Sequence, residues 1–154
     1  MAHPVFERPG EGGTVENPVG GHVAFKLRGD QSGGKLTAFE TVVAPEEGPP
    51  LHTHANEDET LYVVEGRVRF KLGDELQTGP AGSFVFVPRG TPHTFQNVGA
   101  GPARMLIHFS PSGMERFFDG FAASDAPDSG AFARIGAEAG MSVVGPPLAQ
   151  SEPT

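Results

Sequence analysis

Four side chains with metal-binding chemistry lie in one stretch of this chain, and their spacing restricts how the chain can fold. His52 and His54 are two residues apart, and Glu59 follows His54 by five residues. Side chains two apart share a face of a β-strand, so we expect His52 and His54 to point the same way. The odd step to Glu59 requires a bend, which the polar segment 55–58 favours.

His93 completes the set from a different part of the chain. It follows the turn-forming segment 88–92, so we expect it to lie on another strand. Three imidazoles and one carboxylate form a mixed nitrogen and oxygen donor set, which suits iron, manganese, cobalt, nickel, copper or zinc. The sequence therefore predicts one site for a divalent transition metal, without choosing among these ions.

Short apolar runs separated by turn residues predict an all-β protein. The 154 residues include 22 glycines and 15 prolines, spread between the runs rather than concentrated in one segment. A chain of this length forms one domain with a sizeable core. The predicted strands include residues 22–27, 35–43, 60–64, 67–72, 84–87 and 104–109. The wholly apolar run 84–87 suggests a strand buried on both faces.

The spacing of these residues resembles the two signature motifs of the cupin superfamily. The first motif reads HxH, four residues, Glu, six residues, Gly, and is matched by His52, His54, Glu59 and Gly66. The second motif is matched by Gly82, Pro88, Gly90, His93 and Asn97. The family usually has a glycine six positions before the first histidine, where this chain has Glu46. We interpret this as a turn shifted by two residues, to Gly48.

The resemblance implies a small cupin barrel of the jelly-roll type, with two antiparallel sheets and one or two C-terminal helices. It also implies that His52, His54, Glu59 and His93 are the metal ligands. We expect an N-terminal arm over residues 1–21, a barrel over 22–110, a helical extension over 111–144 and a flexible tail over 145–154. Single cupins often exchange N-terminal strands, which makes the arm a candidate swapped strand in a homodimer.

Strand alternation assigns further side chains to the cavity of this barrel. Leu61 and Val63 share parity with Glu59, and Phe95 shares parity with His93. Phe39 is expected to face inward and Glu40 to face solvent; an inward Glu40 would instead be a candidate acid or base. We therefore predict that Phe39, Leu61, Val63 and Phe95 contact the substrate.

Two helices are predicted after the last strand, at about 113–123 and 129–139, each with one apolar stripe. The simpler interpretation is that both pack on the outside of the barrel. The alternative is a lid over the cavity, in which Phe117 or Phe118 touches an aromatic substrate.

Within the superfamily, the segments GPPLHTH and SPSGMERFF look most like the quercetin-dioxygenase-like group. This resemblance implies a metal-dependent dioxygenase acting on an enolisable or phenolic, flavonol-like small molecule, with dioxygen as co-substrate. Glu59 would be both metal ligand and catalytic base. One alternative is a non-oxidative isomerase, cyclase or lyase using the same site. The other is a cupin that binds small molecules without catalysis.

Composition limits the other partners. The formal net charge of −8 argues against nucleic acid or an anionic membrane surface. The chain has no cysteine, which excludes disulfides and thiolate ligands. The first ten residues contain no apolar signal segment, and no apolar run reaches the ~20 residues of a membrane helix. We expect a cytoplasmic protein.

Overall fold

The structure is a computed structural model, and it describes residues 2–18, 21–125, 128 and 130–153. Two antiparallel sheets face each other, and short helices follow the main strand region. The strands are β1 Thr14–Glu16, β2 His22–Leu27, β3 Thr37–Val43, β4 Pro50–His54, β5 Asp58–Glu65, β6 Arg67–Leu72, β7 Glu75–Pro80, β8 Phe84–Val87, β9 His93–Asn97, β10 Ala103–Ser110 and β11 Met141–Pro147. The helices are α1 Gly29–Ser32, α2 Glu115–Ala122, α3 Ala131–Glu138 and α4 Leu148–Ser151.

The sheets have the strand orders that a jelly roll requires. The first sheet runs β1-β2-β3-β10-β5-β8, and the second runs β11-β4-β9-β6-β7. The all-β prediction with two antiparallel sheets and C-terminal helices is therefore confirmed. No helix among the described residues is both long and apolar enough to cross a membrane.

The core lies between the sheets because the strands alternate between inward apolar and outward polar residues. Strand β10 is the clearest example: Ala103, Met105, Ile107 and Phe109 are all at most 3% exposed, whereas Arg104 on the opposite face is exposed. Strand β3 pairs with β10 along its length and buries Phe39 on the same inner side. The two strands form the floor on which the functional site is built.

Strand β8 departs from its prediction. Phe84 and Phe86 are 64% and 56% exposed, so the expectation of burial on both faces is wrong. The reason is that the two sheets pack through one face each, so only the inner face of β8 meets the opposite sheet. Phe84 and Phe86 lie on the outer face, beside the exposed Tyr62 of β5. An apolar run alone does not show whether the second face of a strand is covered.

The turn before β4 also differs from its interpretation. Glu46 has φ 71°, the left-handed conformation that a glycine would normally supply. Gly48 serves a different purpose, since a Cβ there would lie 1.9 Å from the Phe95 carbonyl oxygen. The turn is therefore not shifted to Gly48; Glu46 adopts the conformation at the family's glycine position, and Gly48 allows close approach to β9.

The C-terminal region is more ordered than the sequence suggested. Helices α2 and α3 confirm the two predicted helices, although residue 129, where the second was expected to begin, lies outside the described residues. The predicted flexible tail over 145–154 does not hold for its described part, because β11 continues to Pro147 and α4 follows, with Leu148 only 1% exposed. Strand β11 pairs with β4, which would otherwise be a sheet edge, and Met141 lies opposite His54. The barrel consequently extends beyond the expected range 22–110 at both ends, through β1 and β11.

Candidate metal centre

The four predicted metal ligands converge in the interior of the barrel. His52 and His54 alternate on β4, and His93 at the start of β9 lies directly opposite His52. Glu59 enters from β5 in the facing sheet. One donor atom from each residue lies within 4.8 Å of the others, and all four residues are buried. The bend over 55–58 therefore carries the chain from one sheet to the other, as the five-residue step required.

Direct contacts join three of these side chains. His93 Nε2 lies 2.6 Å from Glu59 Oε1, and His54 Nε2 lies 3.4 Å from the same oxygen. His52 Nδ1 lies 2.8 Å from the Pro50 carbonyl oxygen, and His93 Nδ1 lies 2.9 Å from the Thr91 carbonyl oxygen. Nδ1–H donation to the Pro50 carbonyl leaves the Nε2 lone pair of His52 available as a metal ligand, whereas in His93 a metal would replace the proton held between Nε2 and Glu59 Oε1.

The electrostatics of the centre favour the metal-binding protonation states of His52 and Glu59. Burial lowers the pKa of His52 to about 3, and the charges of His93 and His54 add to this effect. Burial alone raises the pKa of Glu59, but His93 and His54 outweigh it and hold this pKa far below its ordinary value. A neutral imidazole and an ionised carboxylate are the forms that bind metal.

Two arguments indicate that the donor set fits a divalent transition metal: the surroundings of His54 and the types of the donor atoms. Neither ring nitrogen of His54 makes a hydrogen bond, since both are buried and Nε2 only approaches Glu59 Oε1 at 3.4 Å. A buried polar atom without a partner costs free energy, of order 1–3 kcal/mol. A cation among the four donors would satisfy His54 Nε2, and three nitrogens with one oxygen suit the ions named above. The identity of the metal is not determined.

An aromatic cavity of about 60 Å³ lies beside His52, His54 and Glu59. Most of its lining is apolar and comes from both sheets and from the C-terminal segment. The lining comprises His52, His54, Glu59, Asn17, Thr41, Pro49, Phe39, Phe95, Ile107, Phe109, Met114, Phe117, Phe118, Phe132 and Met141. Three of the four candidate ligands therefore border a space with aromatic walls.

Two of the four predicted substrate-contacting residues line this cavity. Phe39 and Phe95 are part of its wall, whereas Leu61 and Val63 are packed in the core at 1% and 0% exposure and lie outside the lining among the described residues. Their predicted inward orientation is correct but their predicted cavity position is wrong. They lie two and four residues beyond Glu59, or about 7 and 13 Å along the strand. Glu40 faces outward and contacts Arg104, as expected.

The helical extension contributes more to the cavity than its simpler interpretation allowed. Phe117 and Phe118 of α2 and Phe132 of α3 all line it, and Phe118 also contacts Phe39 edge to face at 5.0 Å. The two helices thus pack against the barrel and cover the cavity at the same time. The apolar stripe of α2 was readable from the sequence, but the surface against which it packs was not.

Sequence reasoning missed a polar pair in this otherwise apolar wall. Asn17 Nδ2 donates to Thr41 Oγ1 at 2.7 Å, and both side chains border the cavity. Thr41 shares parity with Phe39, which was an available signal. Asn17 lies in the arm expected before the barrel, where neither spacing nor periodicity predicted an inward side chain. Ile107 and Phe109 were also overlooked, although the alternation of β10 would have indicated them.

Fold and site together define a jelly-roll β-barrel with a buried candidate centre of three histidines and one glutamate. A family model described as the cupin domain matches residues 39–109. The match spans just under half of the chain, and the segment that carries both motifs is similar to the cupin domain, as the motifs predicted.

Relatives with assigned names are similar to part of this chain. Polyketide synthase CurC of Streptomyces cyaneus is 37% identical over 70 residues, 46% of this chain and 46% of CurC. Quercetin 2,3-dioxygenase of Bacillus subtilis is 32% identical over 65 residues, 42% of this chain and 16% of the dioxygenase. The matched regions thus span less than half the length of these two curated relatives.

A solved structure extends the likeness at the level of the fold. The polyketide cyclase RemF of Streptomyces resistomycificus superposes with a TM-score of 0.59 at 22% identity, covering 73% of this chain and 81% of RemF. At this identity the similarity establishes the shared fold, and the two activities have to be compared by experiment.

Proposed function

We propose that this protein is a metal-dependent dioxygenase acting on an enolisable or phenolic, flavonol-like small molecule. The observation that supports this most is the position of Glu59, an ionised carboxylate that borders an aromatic cavity and contacts two of the histidines. A divalent transition metal held by the four residues would supply a Lewis acid next to the substrate hydroxyl. The similarity to quercetin 2,3-dioxygenase supports the same substrate class.

In this proposal, the side chains of the chain divide the work of binding and proton transfer. The Glu59 carboxylate accepts the proton of the substrate hydroxyl, as a general base. Phe39, Phe95 and Phe109 provide the walls against which a flat ring stacks. Phe117 and Phe118 exclude water from the reacting atoms.

The size of the cavity adds a requirement. A volume of about 60 Å³ is small, whereas pockets for drug-sized ligands measure roughly 300 Å³ or more. We propose that α2 and α3 move outward to admit a substrate of two or three rings, because these helices form one side of the cavity. The described cavity is then the closed form of the site.

A second candidate is a non-oxidative cyclisation or isomerisation at the same centre. The similarity to CurC, a polyketide synthase protein, favours this reading, and RemF carries the name polyketide cyclase on the same fold. Proton transfer by Glu59 is common to both candidates. They differ in the bonds that are made and broken, and consumption of dioxygen separates them experimentally.

The test is to load metal-free protein separately with iron(II), nickel, cobalt, manganese, copper and zinc. Each form is incubated with flavonols and with linear polyphenolic ketones, in air and without oxygen. Product formation coupled to oxygen uptake supports the dioxygenase. Equal product yield without oxygen supports the cyclase instead, and tight binding without turnover by any metal form supports a binding protein.

Two variants test whether activity depends on Glu59 itself or on any carboxylate of the barrel. We expect Glu59→Gln to reduce turnover by at least about 100-fold, because general bases contribute roughly 10²–10⁴-fold. Glu40→Gln is the matched control, since Glu40 lies on the outer face of β3 and pairs with Arg104. Equal losses in both variants would contradict the assignment of Glu59 as the base.

We also propose that the protein forms a homodimer, as expected for a single cupin. The outer face of β5 and β8 exposes Tyr62, Phe84 and Phe86, with Tyr62 directly opposite Phe84. A row of exposed aromatic side chains at a sheet edge favours association. Light scattering should give a dimer mass for the wild type and a monomer mass for a Phe84→Ser, Phe86→Ser variant. A wild-type monomer at micromolar concentration would exclude the proposal.

A further inference from the structure

A groove of about 380 Å³ lies on the outer face of the second sheet. Arg67 and Arg69 of β6 border it, and they alternate with Val68 and Phe70, which are 1% and 2% exposed in the core. The two arginines therefore point away from the barrel interior. None of the four candidate metal ligands belongs to the described lining, so the groove is a separate feature of the molecule.

The strand register brings polar side chains together in this groove. Arg69 lies directly opposite Gln96 of β9 on one side and directly opposite Thr78 of β7 on the other. Residues paired in this way have Cβ atoms about 4.5–5.5 Å apart. Arg67 is two residues before Arg69 and shares its face, and all four residues line the groove. Two guanidinium groups, an amide and a hydroxyl thus border one space.

The positive charge of the groove is not neutralised by the described part of the chain. Arg69 Nη1 donates to the carbonyl oxygen of Glu152 at 2.6 Å, but the Glu152 carboxylate pairs with Lys71 instead. Glu46 is the one acidic residue in the described lining, and no ion pair among the described residues joins it to Arg67 or Arg69. Because the whole chain carries a net charge of −8, this local excess of positive charge selects where an anion binds.

Gln96 adds a hydrogen-bond acceptor to the wall of the groove. Its side chain is 8% exposed, and its Nε2 donates to the Glu46 carbonyl oxygen at 3.2 Å, which fixes the orientation of the amide. The Oε1 atom is buried and makes no hydrogen bond within the described residues. A buried acceptor without a donor costs free energy. A ligand that brings both negative charge and an O–H group would satisfy the arginines and Gln96 together.

We propose that this groove binds a phosphate monoester in its singly protonated form. The phosphoryl oxygens accept hydrogen bonds from Arg67 and Arg69, since a guanidinium group matches the geometry of phosphate oxygens. The remaining P–O–H donates to Gln96 Oε1. A volume of about 380 Å³ leaves room for the organic group, because small-molecule sites measure roughly 300–1,000 Å³. This site does not depend on the proposed dioxygenase activity.

The experiment titrates methyl phosphate, inorganic phosphate and sulfate into the protein by calorimetry, at pH 6.0 and constant ionic strength. A phosphate monoester has its second pKa at about 6 and therefore keeps a proton in about half of the molecules, whereas sulfate keeps none. We expect both phosphates to bind at least about tenfold more tightly than sulfate, because only they donate to Gln96. The affinities should be equal in metal-free and zinc-loaded protein.

Three variants separate charge from hydrogen bonding. Arg67→Gln removes an exposed positive charge and should weaken binding of all three anions by about tenfold. Gln96→Leu removes only the acceptor and should abolish the preference for phosphate over sulfate. Arg104→Gln is the matched control, because Arg104 lies on the outer face of the other sheet and pairs with Glu40; it should bind like the wild type.

NMR of the wild type provides a readout that does not require a folded Gln96 variant. Methyl phosphate should shift the side-chain N–H signals of Arg67, Arg69 and Gln96, and sulfate should leave the Gln96 signal in place. The inference is overturned if wild-type protein binds phosphate no better than sulfate, or if Arg67→Gln binds like Arg104→Gln. Phosphate binding that disappears when the metal is removed, with shifts confined to the three histidines, would place the anion on the metal and has the same consequence.

Discussion

The two ends of the barrel interior have the same strand pattern but different chemistry. Strand β5 turns Glu59, Leu61 and Val63 toward the interior in regular alternation. Around Glu59 the interior contains three histidines and a cavity. Around Val63 it contains mainly packed apolar side chains, such as Val68 and Met105, each at most 1% exposed. Alternation therefore specifies which way a residue faces, but not whether it borders packed core or open space.

The difference also assigns opposite energetic roles to the two ends. The end around Val63, called the packed end below, supplies stability, since burying an aliphatic side chain contributes about 1.5–3 kcal/mol. The end around Glu59 and the three histidines is called the metal end. The metal end leaves buried polar atoms of His54 and Glu57 without partners, and each such group costs roughly 1–3 kcal/mol. In the metal-free protein the packed end must therefore compensate for the other, and substitutions at the two ends should have separable effects.

The largest expected effect is at the metal end. We expect His93→Ala to weaken metal binding by more than about 100-fold, because altering a residue behind a ligand already costs roughly 10–100-fold. Metal per chain, measured by mass spectrometry after dialysis, should fall from near one to background. His22→Ala is the control, since this exposed histidine lies outside the site and should leave the metal content unchanged. Equal metal content in both variants would refute the ligand assignment.

The converse change tests the packed end. We expect Leu61→Ala to lower the free energy of unfolding of metal-free protein by about 2–5 kcal/mol, because it leaves a void in the core. Metal stoichiometry of the folded variant should stay at the wild-type value. Urea titration measures the stability, with Leu76→Ala as the control, because Leu76 is 39% exposed. A loss of metal binding by folded Leu61→Ala would show that the two ends are coupled.

The pH dependence of metal-free stability should show the polar character of the metal end. The pKa of His52 is lowered to about 3 in the folded protein, so between pH 6.5 and 3 the unfolded chain binds a proton that the folded chain does not. Stability due to this group is therefore lost as the pH falls. Between pH 6.5 and 5 we expect the wild type to lose up to about 2 kcal/mol more than His52→Asn.

His93 acts in the opposite direction, which is why the comparison uses a variant. Burial lowers the pKa of His93, but Glu59 outweighs this effect and raises the pKa overall. The stability that His93 contributes is therefore present at low pH, and it is lost as the pH rises from the ordinary pKa of histidine through the raised pKa of His93. Urea midpoints at pH 7.5, 6.5 and 5.0 for both proteins isolate the His52 effect. Parallel pH profiles would contradict the assignment of a buried neutral His52.

The sequence predicted the metal end better than its surroundings. Histidines two apart and a glutamate after a bend are local patterns with a geometric meaning, and the two motifs placed all four residues correctly. The depth of Leu61 and Val63 could not be read in this way, because it depends on where the opposite sheet and the helices close over the cavity. The inward position of Asn17 likewise depends on the pairing of β1 with β2, which is a contact between strands.

The C-terminal strand shows a different limit of sequence reasoning. Pro146 and Pro147 gave the segment the composition of a loop, yet β11 pairs with β4 and ends at Pro147. Proline is tolerated there because β11 is the outermost strand of its sheet. The exposure of Phe84 has another cause, since it lies on the outer face of its sheet together with Tyr62 of the neighbouring strand β5. Strand order in the first case and the covering of a sheet face in the second decide the outcome, and local periodicity carries no information about either.

The smallest expected effect concerns a strained residue at the packed end. Glu46 has φ 71°, and its N–H donates to the carbonyl oxygen of Asn97. Asn97 is the last residue of β9, whereas His93 is the first, and it pairs with Val68. A left-handed L-residue costs about 1–2 kcal/mol, and the extra freedom of glycine in the unfolded chain offsets about 0.5–1 kcal/mol of the relief.

We therefore expect Glu46→Gly to raise the free energy of unfolding by up to about 1 kcal/mol, with metal affinity unchanged. Glu47→Gly should lower the free energy of unfolding by roughly 0.5–1 kcal/mol, because Glu47 does not have the left-handed conformation of Glu46 and a glycine there only adds freedom to the unfolded chain. Urea titration of both metal-free variants measures the difference in sign. If Glu46→Gly is as destabilising as Glu47→Gly, the Glu46 side chain contributes to the fold. If it instead changes metal affinity, the loop at the packed end acts on the metal centre through β9.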